Sequence, residues 1–295
     1  MIGSDLVTTL QSSPATFLTA VALLGLIVGS FLNVVILRLP VMLERQWSRQ
    51  SREFLQLDVP AEESEAFNLA APSSRCPHCG HRITALENIP VLSYLLLRGR
   101  CSECRAPISA RYPLIEAATA VLSVVVAWHF GFAPQTAAAL VLTWILIALA
   151  AIDFDHKLLP DILTLPLMWL GLLLSLGTVF IDPHTSLIGA AAGYLSLWLV
   201  FKLFKLATGK EGMGYGDFKL LAALGAWMGW QLLPVVVMLS SVVGAVVGIA
   251  LIALRGRDRS IPIPFGPYLA SAGWLALLWG HDLLNAYLRW AGLGA

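Results

Sequence analysis

The chain has 295 residues, of which 58% are hydrophobic and 13% are charged, and its formal net charge is +1. A soluble domain typically has about 45–50% apolar and about 25% charged residues. The composition therefore excludes an ordinary soluble globular protein, a disordered chain and a nucleic-acid-binding protein, and it indicates a membrane protein.

Eight segments are apolar enough to be read as membrane-spanning helices, each of which needs about 20 mostly apolar residues. They predict an all-α polytopic membrane protein with about eight transmembrane helices. The sixth segment is short and the eighth is only moderately apolar. In chain order the segments are 17–37, 113–132, 136–152, 163–181, 186–206, 218–230, 232–254 and 266–281.

Pairs of glycines four residues apart lie inside four of these segments. Small residues at this spacing let helix backbones approach closely. We therefore expect tight helix packing, and no chemistry, at these positions. The pairs are Gly25/Gly29, Gly189/Gly193, Gly225/Gly229 and Gly244/Gly248.

The basic residues predict the orientation of the chain in the membrane. With eight spans, 18 of the 19 Lys and Arg residues fall on one side, and only Arg289 falls on the other. Cytoplasmic loops carry an excess of Lys and Arg, so the side with 18 is predicted to be cytoplasmic and both termini to lie outside. A seven-span arrangement would break this agreement.

The segment 38–112 is the longest polar stretch and is predicted to be a cytoplasmic loop between the first two helices. It contains CPHCG at 76–80 and CSECR at 101–105, which is C-x2-C, 21 residues and a second C-x2-C. Four thiolates at such spacing form a closed tetrahedral site that Zn²⁺ favours, and disulfides are rare in the reducing cytoplasm. We therefore predict a structural zinc ion, with free or redox-active thiols as the alternative. The ligands are Cys76, Cys79, Cys101 and Cys104.

The first part of this loop, 44–67, has mixed charge with scattered apolar residues. It reads either as an amphipathic helix lying on the membrane or as a solvated insert, and the insert is the simpler interpretation. Its acidic run is a candidate surface for a basic peptide. That run consists of Asp58, Glu62, Glu63 and Glu65.

Carboxylates within or at the ends of spans are costly and are therefore candidates for function. Three of them have simple structural explanations. Asp161 follows Pro160 and fits a helix N-cap, and Asp155 fits a solvated interface position. Glu116 fits a charge near a helix N-terminus or a polar contact with another span.

The remaining two carboxylates are the candidates for catalysis. Asp153 ends the third predicted span in IDFDHKLLPD, and Asp217 opens the sixth in GYGDFK, on the same predicted membrane side. Two carboxylates that share a site hold a proton between them. One then activates water while the other protonates the leaving group, as in an aspartic protease. Solvated helix ends are the alternative explanation.

These motifs resemble those of the bacterial type IV prepilin peptidases, which are also prepilin N-methyltransferases. The resemblance covers about 25–270 and has its motifs in order. The first-span motif is GSFLNVVILRLP at 29–40, and the loop motifs are SRCPHCGHRI, ENIPVLSYLLLRGRC and SARYPLIE. The aspartate segments are IDFDHKLLPD and GYGDFKLLAALGAW, and the last motif is PFGPYLASAG at 264–273.

The resemblance implies a GxGD-type intramembrane aspartic protease of the bacterial inner membrane, in which Asp153 and Asp217 match the catalytic pair. It implies type IV prepilins and type II secretion pseudopilins as substrates, and S-adenosylmethionine as donor for methylation of the new N-terminus. The donor site has no recognisable residues. The chain would then comprise helix 1 (17–37), the cytoplasmic zinc loop (38–112) and a membrane peptidase core of helices 2–8 (113–281). Its active site would face the cytoplasm and both termini the periplasm.

Two other classes of protein remain open from the residues alone. A transporter uses intramembrane carboxylates to relay protons or bind cations, but the internal repeats that are frequent in transporters are missing from this sequence. A non-catalytic assembly subunit would use the zinc loop for docking, but it would leave Asp153 and Asp217 without a role.

Overall fold

The computed structural model of the protein describes residues 2–57, 67–210, 212–255 and 264–292. Its helices are α1 (Ile2–Ser12), α2 (Pro14–Phe54), α3 (Leu92–Leu96), α4 (Arg111–Phe130), α5 (Pro134–His156), α6 (Asp161–Leu176), α7 (Pro183–Thr208), α8 (Tyr215–Met228), α9 (Leu233–Arg255) and α10 (Gly266–Trp290), with a 3-10 turn at Trp230–Leu232. Within these ranges extended structure is limited to two isolated β-bridges, Arg75 with Arg82 and Arg100 with Pro107. The prediction of an all-α protein is confirmed.

The first helix of the predicted membrane region is longer than its apolar segment. Hydropathy marks 17–37, but α2 runs from Pro14 to Phe54. The Ser13 hydroxyl accepts a hydrogen bond from the Thr16 N–H at 3.3 Å, and Pro14 occupies the first helical position, which are both typical helix-start features. The predicted cytoplasmic segment 38–112 therefore begins as a helical extension. Of the insert at 44–67, residues 58–66, with the acidic run, lie outside the described residues.

Five of the described helices are long and apolar enough to cross a membrane, which confirms a membrane protein. They correspond to the first, second, third, fifth and seventh predicted spans. The fourth, α6, is apolar but has only 16 residues, and α8 has 14, or about 21 Å at 1.5 Å per residue. The count of eight stays a prediction.

The chain forms two compact units, residues 1–144 and 145–295, which divide within α5. In the first unit α2 packs on α4 through the first predicted glycine pair. A Cβ at Gly25 would lie 2.8 Å from Ala120 Cα, and one at Gly29 would lie 2.7 Å from Glu116 Cα. Only glycine allows this approach, as its spacing predicts.

In the second unit α8 is the buried central helix. Its residues from Phe218 to Met228 are buried with the exception of Lys219, which is partly exposed. Two predicted glycine pairs make this possible, because Gly189 and Gly193 of α7 leave no room for a Cβ against the backbones of Gly225 and Leu221. This packing fixes the start of α8, where Asp217 lies.

Candidate active site

Asp153 lies in the last turn of α5 and is only 6% exposed. Its Oδ2 accepts a hydrogen bond from the backbone N–H of Gly266 at 2.9 Å. Gly266 is the first residue of α10, so the carboxylate also meets the positive end of a helix dipole. A Cβ at Gly266 would lie 2.6 Å from the same oxygen. The glycine is therefore needed for the backbone to reach the carboxylate.

Asp217 is the third residue of α8 and is 7% exposed. The chain enters this helix through Gly214, and a Cβ at the next glycine, Gly216, would lie 2.7 Å from the Cβ of Leu159. In the described part of the chain no donor reaches Asp217 Oδ1, although this atom is buried. A buried carboxylate oxygen without a partner is costly, which is typical of a site that binds water or substrate.

The structure brings the two predicted catalytic residues together. Asp153 and Asp217 both belong to the second unit, and their carboxylates are close enough to interact electrostatically. The same Leu159 that packs on Gly216 also lies near Gly266, because a Cβ there would be 3.1 Å from its Cδ2. The ends of α5 and α10 and the start of α8 thus form one small buried site.

The other candidate carboxylates lie elsewhere. Asp161 is not an N-cap, because Pro160 holds that position and Asp161 is in the first turn of α6. Both of its oxygens accept from Lys219 Nζ at 2.7 Å, and this ion pair is a structural role that the sequence did not indicate. Asp155 is exposed, in agreement with a solvated position. Glu116 belongs to the first unit and is buried there, where it accepts a hydrogen bond from the Val91 N–H at 2.7 Å.

The four cysteines form one cluster in the first unit. All four Sγ atoms lie within 4.8 Å of one another, with Cys76 to Cys104 at 3.8 Å and Cys79 to Cys101 at 4.0 Å. A Zn–S distance of about 2.3 Å places tetrahedral sulfurs about 3.8 Å apart, so the cluster fits a zinc ion.

The Glu87 carboxylate links the two C-x2-C turns, each of which forms a cysteine knuckle. Glu87 accepts hydrogen bonds from Thr84 N at 2.8 Å, from the Ser102 hydroxyl and from His81. The Ser102 hydroxyl and the Thr84 N–H lower the pKa of Glu87 to about 2, so it is ionised at neutral pH. His81 is occupied by this contact, at 3.2 Å.

Gly266 is the residue of the candidate site that the sequence did not indicate. Its signal was present in the glycine between two prolines of PFGP, at the start of the last predicted span. However, a residue that acts through its backbone N–H carries no side-chain chemistry that a pattern could reveal.

Comparison with known proteins gives matches over nearly the whole chain. Residues 23–130 match the family model of the bacterial peptidase A24 N-terminal domain, and residues 140–249 match that of the type IV leader peptidase family. No solved structure matches the chain.

Among the similar proteins are three that are named prepilin leader peptidase/N-methyltransferase. The protein of Stutzerimonas stutzeri is 59% identical over 285 residues, which cover 96% of this chain and 98% of that protein. The protein of Pseudomonas aeruginosa is 58% identical, and the match covers 96% of this chain and 97% of that protein. The protein of Aeromonas hydrophila is 59% identical, and the match covers 93% of this chain and 95% of that protein.

Proposed function

The chain belongs to the type IV leader peptidase family, and on this premise we propose that Asp153 and Asp217 cleave the leader peptide from type IV prepilins. The protein is an enzyme with prepilin leader peptidase and N-methyltransferase activity. The observation that carries the catalytic assignment is the buried pair of carboxylates, one of which has an oxygen without a partner. The names of the relatives favour this enzyme over a transporter.

The two carboxylates perform the hydrolysis by acid–base chemistry. One accepts a proton from a water molecule as the water oxygen attacks the scissile carbonyl, and the other donates a proton to the leaving amine as the C–N bond breaks. The Gly266 N–H fixes the orientation of Asp153. The unpartnered Oδ1 of Asp217 supplies a free acceptor for water or for the substrate. Burial excludes bulk water and strengthens both interactions.

The position of the pair on its helices supports a cut at the membrane edge. Asp153 is near the end of α5 and Asp217 is near the start of α8. We place this edge at the cytoplasmic face of the bacterial inner membrane, with both termini periplasmic, because 18 of 19 basic residues then face the cytoplasm. A prepilin has a basic leader joined to an apolar helix, so its cleavage site lies at such a boundary. Pseudopilins of type II secretion share this chemistry and are proposed as further substrates.

The second activity uses S-adenosylmethionine, which supplies an electrophilic methyl group. Methylation follows cleavage, because the amine that accepts the methyl group exists only after the leader has left.

We propose that Zn²⁺ is held by Cys76, Cys79, Cys101 and Cys104 and that its role is structural. Four thiolates complete a tetrahedral shell and leave no position for water. The metal then stabilises the segment 67–110 of the cytoplasmic loop.

Both activities are tested together by incubating the purified protein in detergent with a prepilin, with and without S-adenosylmethionine. Mass spectrometry should show leader loss in both samples and the added mass of one methyl group only with the donor. Asp155→Asn, the matched change at an exposed carboxylate two residues from Asp153, should give the same products. A prepilin left intact by the folded wild-type protein would refute the proposed function.

A further inference from the structure

A cavity of about 500 Å³ lies within the first unit, between α2, α4 and the loop that carries the cysteine cluster. This is within the range of about 300–1,000 Å³ that is usual for small-molecule sites. All of its lining residues belong to the first unit, and the hydrolysis by Asp153 and Asp217 does not use any of them. The lining residues that matter below are Asn33, Val34, Tyr94, Tyr112 and Glu116.

Glu116 places a buried carboxylate in the wall of this cavity. Glu116 is 8% exposed, and its Oε2 accepts a hydrogen bond from the Val91 N–H at 2.7 Å. Among the described residues no Lys or Arg forms an ion pair with it. Arg38, which also lines the cavity, donates instead to the carbonyls of Asn68 and Pro72 at 2.9 and 2.7 Å. A buried carboxylate without a cationic partner favours a cationic ligand.

The rest of the lining suits a nucleoside. Tyr94 and Tyr112 supply aromatic surface for a base, and the Asn33 amide, which donates to the Tyr112 carbonyl at 3.1 Å, is a buried polar group on the same wall. A second groove, of about 340 Å³, lies along the end of α2, and its charged lining residues are Arg45, Arg49 and Glu53. Glu53 is exposed, whereas the Glu116 carboxylate is buried, so the first cavity is the one that offers a desolvated anion to a cationic ligand.

We propose that this cavity binds S-adenosylmethionine, with the Glu116 carboxylate as the group that recognises its positive charge. The proposal rests on the methyltransferase activity of the proposed function, which requires a donor site but does not locate it. S-adenosylmethionine combines an adenosine with a sulfonium and an ammonium group, which match the aromatic and anionic parts of the lining.

The reaction adds a prediction about charge. The amine lone pair forms the N–CH₃ bond as the S–CH₃ bond breaks, the electron pair of that bond stays on sulfur, and the new ammonium releases a proton to water. The sulfonium thereby becomes the neutral thioether of S-adenosylhomocysteine. A carboxylate that recognises the sulfonium must therefore hold the donor more tightly than it holds the product.

The experiment measures equilibrium binding of both compounds, S-adenosylmethionine and S-adenosylhomocysteine, to the full-length protein in detergent. Glu116→Gln keeps an oxygen for the Val91 N–H but loses the charge, and it should weaken donor binding by about tenfold or more while changing product binding much less. Val34→Phe reduces the cavity volume without changing charge and should weaken both by about tenfold. Glu44→Gln, at an exposed carboxylate of α2 outside the cavity, should change neither.

Prepilin cleavage and metal content report the folding of each variant. The proposal would be overturned if folded Glu116→Gln and folded Val34→Phe both bind the donor with wild-type affinity. It would also be overturned if Glu116→Gln binds the donor normally but methylates pilin more slowly, because the carboxylate would then act on the pilin amine. If Glu116→Gln does not fold, unchanged binding by Val34→Phe alone overturns it. A wild-type protein that cleaves prepilin but neither methylates nor binds the donor would contradict the methyltransferase function itself.

Discussion

The two aspartates proposed to be catalytic differ in what surrounds them. Asp153 receives a backbone N–H from the first residue of α10, whereas Asp217 Oδ1 has no donor among the described residues. A hydrogen bond from a fixed backbone group both orients a carboxylate and stabilises its anionic form. The site therefore has one carboxylate held in place and one available to water or substrate.

The contact between Asp153 and Gly266 predicts that one methyl group added at position 266 impairs catalysis. Gly266→Ala should lower kcat for prepilin cleavage by about 100-fold, because its Cβ would lie 2.6 Å from the carboxylate oxygen and must displace it. Cleavage rates at saturating prepilin measure this effect, and KM should change much less than kcat.

Gly177→Ala is the matched control, because a Cβ there meets nothing closer than 3.7 Å and the residue has no positive φ. It should cleave at the wild-type rate. A folded Gly266→Ala protein with wild-type kcat would show that the glycine does not position Asp153.

The sequence singled out the two proposed catalytic residues, but it did not indicate the backbone group that contacts Asp153. Asp153 and Asp217 stand out because charged residues at the ends of apolar segments are rare. Gly266 lies 113 positions after Asp153 and acts through its main chain. A backbone contact over such a separation appears only once the helices are packed.

At the scale of elements, the cysteine loop is a folded module whose regular secondary structure, over residues 67–110, is limited to the short helix α3 and two isolated β-bridges. Each knuckle turns back on itself, with Gly80 N–H bound to the Cys76 carbonyl at 2.9 Å and Arg105 N–H bound to the Cys101 carbonyl at 3.1 Å. The spacing of the cysteines predicted the cluster, because C-x2-C places two sulfurs on one turn. The bridging role of Glu87 depends on tertiary contacts and had no sequence signal.

We predict one zinc ion per chain, measured by elemental analysis of the purified protein. Cys101→Ser should lose the metal and make the segment 67–110 sensitive to added protease, because metal binding energy is folding energy in such a module. His78→Ala is the control, since His78 is exposed between two ligands and should retain full zinc. Zinc-free wild-type protein, or loss of zinc in His78→Ala, would contradict the four-cysteine site.

The length of α2 shows what hydropathy leaves out. An apolar window ends at about Leu37, where the sequence becomes polar, but the helix continues through Pro40 to Phe54. Hydropathy measures compatibility with lipid and does not detect a helix that leaves the membrane.

The glycine pairs, in contrast, were informative about helix packing. Close backbone contact at these positions follows directly from the absence of a side chain, as is seen at Gly25, Gly29, Gly189 and Gly193.

At the scale of the whole molecule, the proposed catalytic pair and the proposed donor cavity lie in different units. Asp153 and Asp217 lie in residues 145–295, whereas the cysteine cluster and the cavity beside Glu116 lie in residues 1–144. The two matched family models divide the chain at a similar place, between residues 130 and 140. The sequence did not predict this division, because it falls within the continuous helix α5.

This separation predicts that the two reactions can be uncoupled. Asp217→Asn should transfer labelled methyl from S-adenosylmethionine to pre-cleaved pilin at close to the wild-type rate, because methyl transfer needs an aligned amine and donor and no carboxylate pair. Scintillation counting of the pilin measures the label. A protein with normal zinc content but no transfer would mean that both reactions use the aspartates.

The central claim is that Asp153 and Asp217 form one catalytic pair, and the most direct test is the cleavage rate of a prepilin by aspartate variants in detergent. Asp153→Asn and Asp217→Asn should each lower the rate by at least about 10²–10⁴-fold, and the double variant should be no slower than either single one, because the residues act as a unit. Asp155→Asn should remain close to wild type. Near wild-type cleavage by either folded single variant would contradict the account, as would loss of cleavage in Asp155→Asn with activity retained in Asp153→Asn.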